Sequence, residues 1–415
     1  MYPVLTTPAD GTPQVLTSPR DIAAAGAVLA NGYGPLAVDT ERASAFRYDD
    51  RAFLLQFRRQ GAGTFLIDPE SIPGCTDCLP AQLNDLTWII HAAHSDLPAL
   101  RELGLYPANL IDTEIAGRLA GFPKVGLASL TEELLSISLA KGHGQEDWSS
   151  RPLPSDWLDY AALDVELLIE LANSLTDVLV ELDRYSWLVE ECEAVRLAFS
   201  PDNVVPLADD DRWRQLRGVG KLRRPEQLVV AKALWNQRDQ IARQRDVSPT
   251  SVLPHQVIIA LAEHPARTKG DIIKTRGFPR KRRGAVDQWF AVVQDALATP
   301  KRQWPRQVRQ KTIGRPHHKH WPECAPRAQR CWEALQAAHQ NLADDLGIRP
   351  DTIFKPSDLR DVAWAFGGCG NKPVPTHADE VRELLATFNA RPWQIELMTG
   401  LIAETVLLPR RQPLP

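Results

Sequence analysis

The chain has 415 residues, 44% of them hydrophobic and 24% charged, with a net charge of −4; that length suggests two to four domains, and that composition excludes a disordered chain. No window approaches the roughly 18–20 uninterrupted apolar residues of a spanning helix, and the N-terminal residues lack the basic start and apolar middle of a signal peptide, so a cytoplasmic protein without membrane contact is expected. The near-neutral total hides a polarity: residues 1–200 hold 13 Lys and Arg against 29 Asp and Glu, whereas residues 212–330 hold 27 against 8.

Short apolar runs rich in β-formers predict strands at 35–39, 53–57, 64–68 and 87–92. Helical spacing predicts helices at about 20–31, 96–104, 112–121, 129–136 and 155–185. The first 200 residues therefore read as an α/β domain with a mixed sheet, ending near residue 195. The acidic, proline-containing stretch Pro201–Asp211 reads as a linker. After it the β signal fades. Residues 212–300 and 326–408 read as two small all-α modules, separated by a Pro-, Arg- and His-rich connector around 300–325. Leu234–Pro249 matches Leu335–Pro350 at a constant offset of 101, which predicts a duplicated helical unit.

The positive charge of the first helical module is concentrated in Arg276, Arg280, Lys281, Arg282 and Arg283, with Lys221, Arg223, Arg224 and the run Lys301-Arg302 as further clusters. A charge run is usually a solvated face, but phosphate contact needs cation density more than exact geometry, so these residues are candidates for binding nucleic acid. The six cysteines are sparse for the length and read as reduced thiols. Cys75 and Cys78 have zinc-like spacing but need two more ligands, so a loop with two thiols is the better reading.

The acidic side carries the chemistry. Asp39 and Glu41 follow the apolar run Pro35–Val38, and a strand sends residues i and i+2 to one face. Tyr160 and Asp164 stand four apart, which a helix also places on one face. Carboxylates that converge are tolerable only when protons or cations offset their repulsion, and divalent ions held by oxygen ligands do so. The outline is that of a two-metal phosphodiester-cleaving site. Taken singly, each residue has a plainer role: Asp39 and Glu41 as solvated strand-end carboxylates, Asp96 as a helix N-cap, Asp164 as surface charge and Tyr160 as core.

The ordered set resembles the DEDD superfamily of 3′–5′ exonucleases, and specifically the ribonuclease D family. The first motif, Asp-x-Glu, is Asp39-Thr40-Glu41; the second is the Asp early on a helix in Ile90–Leu97, namely Asp96; the third, Tyr-x-x-x-Asp, is Tyr160–Asp164, preceded by Asp147–Leu153. The resemblance implies an RNase H-like α/β exonuclease domain (1–200) followed by two HRDC modules (212–300 and, more divergent, 326–408). It implies that Asp39, Glu41, Asp96 and Asp164 bind two Mg²⁺ or Mn²⁺ ions and that Tyr160 orients the attacking water. It further implies an exoribonuclease that trims the 3′ ends of tRNA precursors and other small RNAs and releases nucleoside 5′-monophosphates; a monomer is expected. A Werner-type DNA exonuclease shares these motifs, and an RNA-binding scaffold with a decayed site is the non-enzymatic alternative. His91 and His94, flanking the second motif, could contact phosphate or metal but read more simply as structural, and Asp112 reads as a helix cap.

Overall fold

A mixed six-stranded sheet forms the centre of the first 200 residues in the computed structural model, which describes residues 2–140, 142–203, 209–306, 315–369 and 373–407. In chain order the strands are β1 (Val4–Leu5), β2 (Val15–Leu16), β3 (Tyr33–Arg42), β4 (Ala52–Gln60), β5 (Gly63–Ile67), β6 (Thr87–Ile90), β7 (Asn109–Asp112) and β8 (Ser138–Leu139). The sheet order is β2-β5-β4-β3-β6-β7, while β1 and β8 pair separately. β3, β4 and β5 run antiparallel in sequence, whereas β3–β6, β6–β7 and β2–β5 are parallel pairs. β3 thus lies inside the sheet, where its Leu36, Ala37 and Val38 are fully buried.

The helices of this unit are α1 (Pro19–Asn31), α2 (Leu79–Leu83), α3 (Leu97–Glu102), α4 (Thr113–Leu119), α5 (Leu127–Leu135), α6 (Ser155–Glu166), α7 (Leu168–Glu181) and α8 (Tyr185–Ala198). Strand alternation divides the core. Leu36, Val38, Leu55 and Phe57 join α1, α2 and α3 on one face, while Ala37 and Ile89 meet Val165, Leu168 and Ile169 of α6 and α7 on the other. The long helix expected over 155–185 is two helices that break at Leu167, whose φ of −106° and ψ of 3° leave the helical region. The short strands β2 and β7 and the helix α8 were not expected from the sequence; two and four residues are too few to show a period.

Beyond residue 209 the described residues contain helices only. The first group is α9 (Pro225–Arg245), α10 (Pro249–Val252), α11 (His255–Glu263), α12 (Lys269–Lys274) and α13 (Ala285–Ala298); the second is α14 (Trp321–Cys324), α15 (Pro326–Leu346), α16 (Pro350–Ile353), α17 (Pro356–Phe366), α18 (Ala378–Ala386) and α19 (Pro392–Ile402). Each group closes its own core, around Leu234, Ile258 and Trp289 in the first and Leu335, Phe366 and Ile402 in the second. α9 and α15 have equal lengths of 21 residues, α10 and α16 equal lengths of 4, and both pairs start 101 positions apart. Residues 204–208 of the expected linker, 307–314 of the connector, and 370–372 and 408 of the last module lie outside the described residues.

Both helical groups touch the sheet domain. Asp246, the left-handed residue that ends α9, accepts from Arg47 at 3.3 Å, from Arg51 at 3.0 Å and from the Tyr48 backbone N–H at 3.3 Å, all in the loop between β3 and β4. Arg391, before α19, pairs with Glu191 of α8 at 3.0 Å, and Trp393 stacks on Trp187 with ring centroids 4.5 Å apart. No helix of the described residues is long and apolar enough to cross a membrane.

Candidate active site

The site begins with the alternation of β3. Because Ala37 packs under α6 and α7, Asp39 and Glu41, two and four residues on, face the same side. Ala161 and Ala162 let α6 lie close over β4 and β5, and the helix then brings Tyr160 and Asp164 over the end of β3. Asp39, Glu41 and Asp164 each offer a carboxylate oxygen within 4.8 Å of the others, the only such group of His, Cys, Asp or Glu side chains among the described residues.

Asp96 borders this trio. It precedes α3, yet its side chain makes no capping hydrogen bond and instead accepts from Thr40 Oγ1 at 2.6 Å, with Arg42 Nη2 3.9 Å away. Thr40 points to the face opposite Asp39 and Glu41, so Asp96 reaches the strand end from the other side of the sheet. It is close enough that its charge raises the pKa of Asp39, Glu41 and Asp164. The plain N-cap role expected of Asp96 is not what its carboxylate does.

Burial sets the protonation of the group. It holds Asp39 and Glu41 well above the usual carboxylate range, with the neighbouring acids adding to the shift. It pushes Asp96 up to about 6 against the opposing hydrogen bond from Thr40, and Asp164 up to about 7 against the hydrogen bond from Tyr160. The Tyr160 phenol is itself raised above its ordinary value by burial and by Asp164, Glu41 and Asp39. Hard oxygen donors that relieve their repulsion only by taking up protons fit a divalent cation.

Two contributors, Thr40 and Arg42, and a second role of Asp112 were not evident from the sequence. Thr40 and Arg42 hold Asp96, and Arg42 also donates to the Ser95 carbonyl at 2.5 Å and pairs with Asp50 at 3.1 Å. Asp112 does cap α4, accepting from the N–H of Glu114 and Ile115, but the same carboxylate also accepts from the N–H of Ala92 at 3.1 Å and Ala93 at 2.8 Å. That second pair of bonds fixes the turn leading to Asp96, in which Ala92 adopts a left-handed φ of 59°. No local signal announces a cap that serves two segments.

His91 bonds the Thr113 hydroxyl through Nδ1 at 2.9 Å, and burial lowers its pKa to about 4, so the ring is neutral and structural. His94 lines a cleft between α4 and the second helical group. Cys75 is buried with its Sγ 3.6 Å from the Asp68 and Pro69 carbonyl oxygens, and Cys78 is partly buried; both are free thiols. Lys221, Arg223, Arg224, Arg276, Arg280, Lys281, Arg282 and Arg283 are all exposed. They form two clusters rather than one. Gln227 bonds the Glu263 carbonyl, which sets Lys221, Arg223 and Arg224 by the end of α11, whereas Gly277 lies against Gln256 and Val257 at its start. Arg276, beside Gly277, therefore lies by the start of α11, and Arg280–Arg283 follow in the turn before α13, whose Asp287 pairs with Lys269 at 2.6 Å.

Fold and site together define a 3′–5′ exonuclease with an α/β core and helical appendages, and comparison with known proteins agrees. The profile described as "3'-5' exonuclease" matches residues 14–180, that of the HRDC domain residues 227–293, and that of a "3' to 5' exonuclease C-terminal domain" residues 314–406. Ribonuclease D of Xanthomonas oryzae pv. oryzae is 31% identical over 78% of this chain and 83% of its own. A solved structure of a protein from Bifidobacterium adolescentis superposes with a TM-score of 0.82 at 30% identity, covering 99% of this chain and 100% of that one. Escherichia coli RNase D shares the fold, with a TM-score of 0.66 at 22% identity over 90% of this chain and 99% of its own. The chain belongs to the ribonuclease D family and is a 3′–5′ exoribonuclease.

Proposed function

We propose that the enzyme removes nucleotides one at a time from the 3′ ends of tRNA precursors and other small structured RNAs, with release of nucleoside 5′-monophosphates. Asp39, Glu41, Asp96 and Asp164 are the residues that would hold two divalent cations, Mg²⁺ or Mn²⁺. The observation that carries this reading is the convergence of Asp39, Glu41 and Asp164 within 4.8 Å, with Asp96 adding its field from the opposite face. When bound, such ions would make an attacking water more acidic and neutralise charge on the phosphate and the departing 3′-oxygen.

The chain's own residues supply position. A Tyr160 phenol held above its ordinary pKa stays protonated, so it acts as a hydrogen-bond donor that orients rather than as a base. Arg42 and Thr40 hold Asp96 against recoil from the other three acids. Arg276, Arg280, Lys281, Arg282 and Arg283, with Lys221, Arg223 and Arg224, would hold RNA phosphates; their exposure on the first helical module supports this reading. The domain division that goes with this reading is 1–200 for the exonuclease, 212–300 for an HRDC module and 326–408 for a divergent second copy, supported by the shared 101-residue offset of their first two helices. A cytoplasmic monomer completes the reading.

A time course on 5′-labelled 3′-extended tRNA, beside DNA of equal length, with Mn²⁺ or with chelator, tests it. Stepwise shortening of the RNA that stops in chelator is expected. Faster shortening of the DNA would move the enzyme to the Werner type, and RNA binding without cation-dependent shortening would make it a scaffold.

A further inference from the structure

Gln56 stands in the middle of β4 at 0% exposure, and neither its carboxamide oxygen nor its nitrogen has a hydrogen-bond partner. It is the direct cross-strand partner of Asp39 on β3 and of Leu66 on β5. Leu55 and Phe57 on either side of it point into the core beneath α1, so Gln56 points to the opposite face, toward α6. Directly opposed residues carry their Cβ atoms about 4.5–5.5 Å apart. An uncharged amide that can donate two hydrogen bonds is thus sealed beside Asp39 and held by nothing.

The neighbouring charged groups on this face pair with each other, although Glu166 Oε2 has no hydrogen bond beyond its ion pair. Arg58, the next residue of β4 on that side, bonds Thr64 Oγ1 at 2.8 Å and pairs with Glu166 of α6 at 3.3 Å. A leucine of similar volume at position 56 would match Leu54 and Leu66 and carry no desolvation penalty, so packing does not account for a glutamine. What lies within its reach is the acidic site.

We propose that Gln56 is a positioning residue for the cation site: its carboxamide N–H donates to the Asp39 carboxylate once a divalent ion draws that carboxylate into place, fixing the orientation in which Asp39 offers its other oxygen. The assignment rests on the reading of Asp39, Glu41, Asp96 and Asp164 as cation ligands. Groups that orient ligands in this way typically set affinity by about 10–100-fold.

The test is Gln56→Leu in the full chain, with Mn²⁺ affinity measured by titration calorimetry and the thermal midpoint measured in chelator. The expected result is a Mn²⁺ dissociation constant weakened about 10–100-fold, with a midpoint in chelator equal to or above that of the unaltered chain. A purely structural glutamine would give the reverse: a lower midpoint and an unchanged constant. Should Gln56→Leu fail to fold, Gln56→Met places an unbranched apolar chain of the same length there for the same titration. A Mn²⁺ constant within twofold of the unaltered chain overturns the assignment of Gln56 alone. If the unaltered chain takes up no Mn²⁺, or takes it up equally well with Asp164→Asn, the reading of the acidic site falls and this assignment falls with it.

Discussion

At the scale of single residues, the acids are held in mutual repulsion by burial, and two expectations follow from that. Asp39→Asn or Asp164→Asn would remove a proposed cation ligand without touching the exposed cations, so turnover should drop by on the order of 10³-fold or more while RNA binding stays nearly intact; steady-state rates and a filter-binding assay separate the two. The second expectation concerns pH. Because Asp96 is raised to about 6 and Asp164 to about 7, the folded chain binds more protons than the unfolded chain from about pH 4 upward. Their contribution to stability is complete below the unfolded pKa and is lost as pH rises through 6 to 7. The thermal midpoint in chelator should therefore lose this contribution between about pH 4 and 7, and added Mn²⁺ should raise it more at pH 8 than at pH 5.5, where protons compete. A Mn²⁺ effect that does not depend on pH would contradict the protonation argument. Asp39-x-Glu41 and Tyr160-x-x-x-Asp164 were legible in the sequence because each pair matches the repeat of its own element. Asp112 was legible as the cap of α4, but its bonds to Ala92 and Ala93, like the roles of Thr40, Arg42 and Gln56, were not, because each acts through a partner that only the folded sheet brings near.

At the scale of elements, the sheet strands with side chains in two cores were readable as apolar runs, while the break between α6 and α7 was not. Leu167 is neither Pro nor Gly, and the break follows from how the two helices pack on the sheet rather than from local propensity. The turn before α3 is held by Asp112 of β7, which ties four backbone N–H groups from two segments to one carboxylate. Asp112→Ala should cost about 2–4 kcal/mol, the loss of a cap plus buried donors left unpaired, and should also lower turnover by letting Asp96 drift; Asp112→Asn, which keeps one acceptor oxygen, should do less of both. Chemical denaturation and steady-state assays of the two variants check this. The first helical module carries exposed cations at Lys221, Arg223 and Arg224 and again at Arg276 and Arg280–Arg283. Replacing Arg280, Lys281, Arg282 and Arg283 with Gln should reduce the slope of log affinity against log salt by up to ~3 for single-stranded RNA, and an unchanged slope would show that this cluster does not meet RNA.

At the scale of the whole molecule, an acidic unit is joined to a basic unit whose charge suits it to RNA, and the joint is built at the loop that leaves β3. Asp246 holds Arg47 and Arg51, while Tyr48 donates to Asp239 at 2.9 Å and takes hydrogen bonds from Arg243. The guanidinium groups draw the Asp246 pKa below the usual carboxylate range. Asp246→Ala should free the 43–51 loop, seen as faster hydrogen exchange there, and should reduce turnover on structured RNA more than on a short unstructured oligomer, which needs only the acidic unit. The change of charge sign between the two units was evident from the sequence; the docking was not, since its partners are separated by nearly 200 residues.

All three scales depend on where the cation sits. Crystals soaked in Mn²⁺ and measured for anomalous scattering answer that directly. The expected result is a peak enclosed by Asp39, Glu41 and Asp164 on the α6 side of β3, with Asp96 turned toward it. A chain active on RNA whose Mn²⁺ peak lies away from those carboxylates would contradict it.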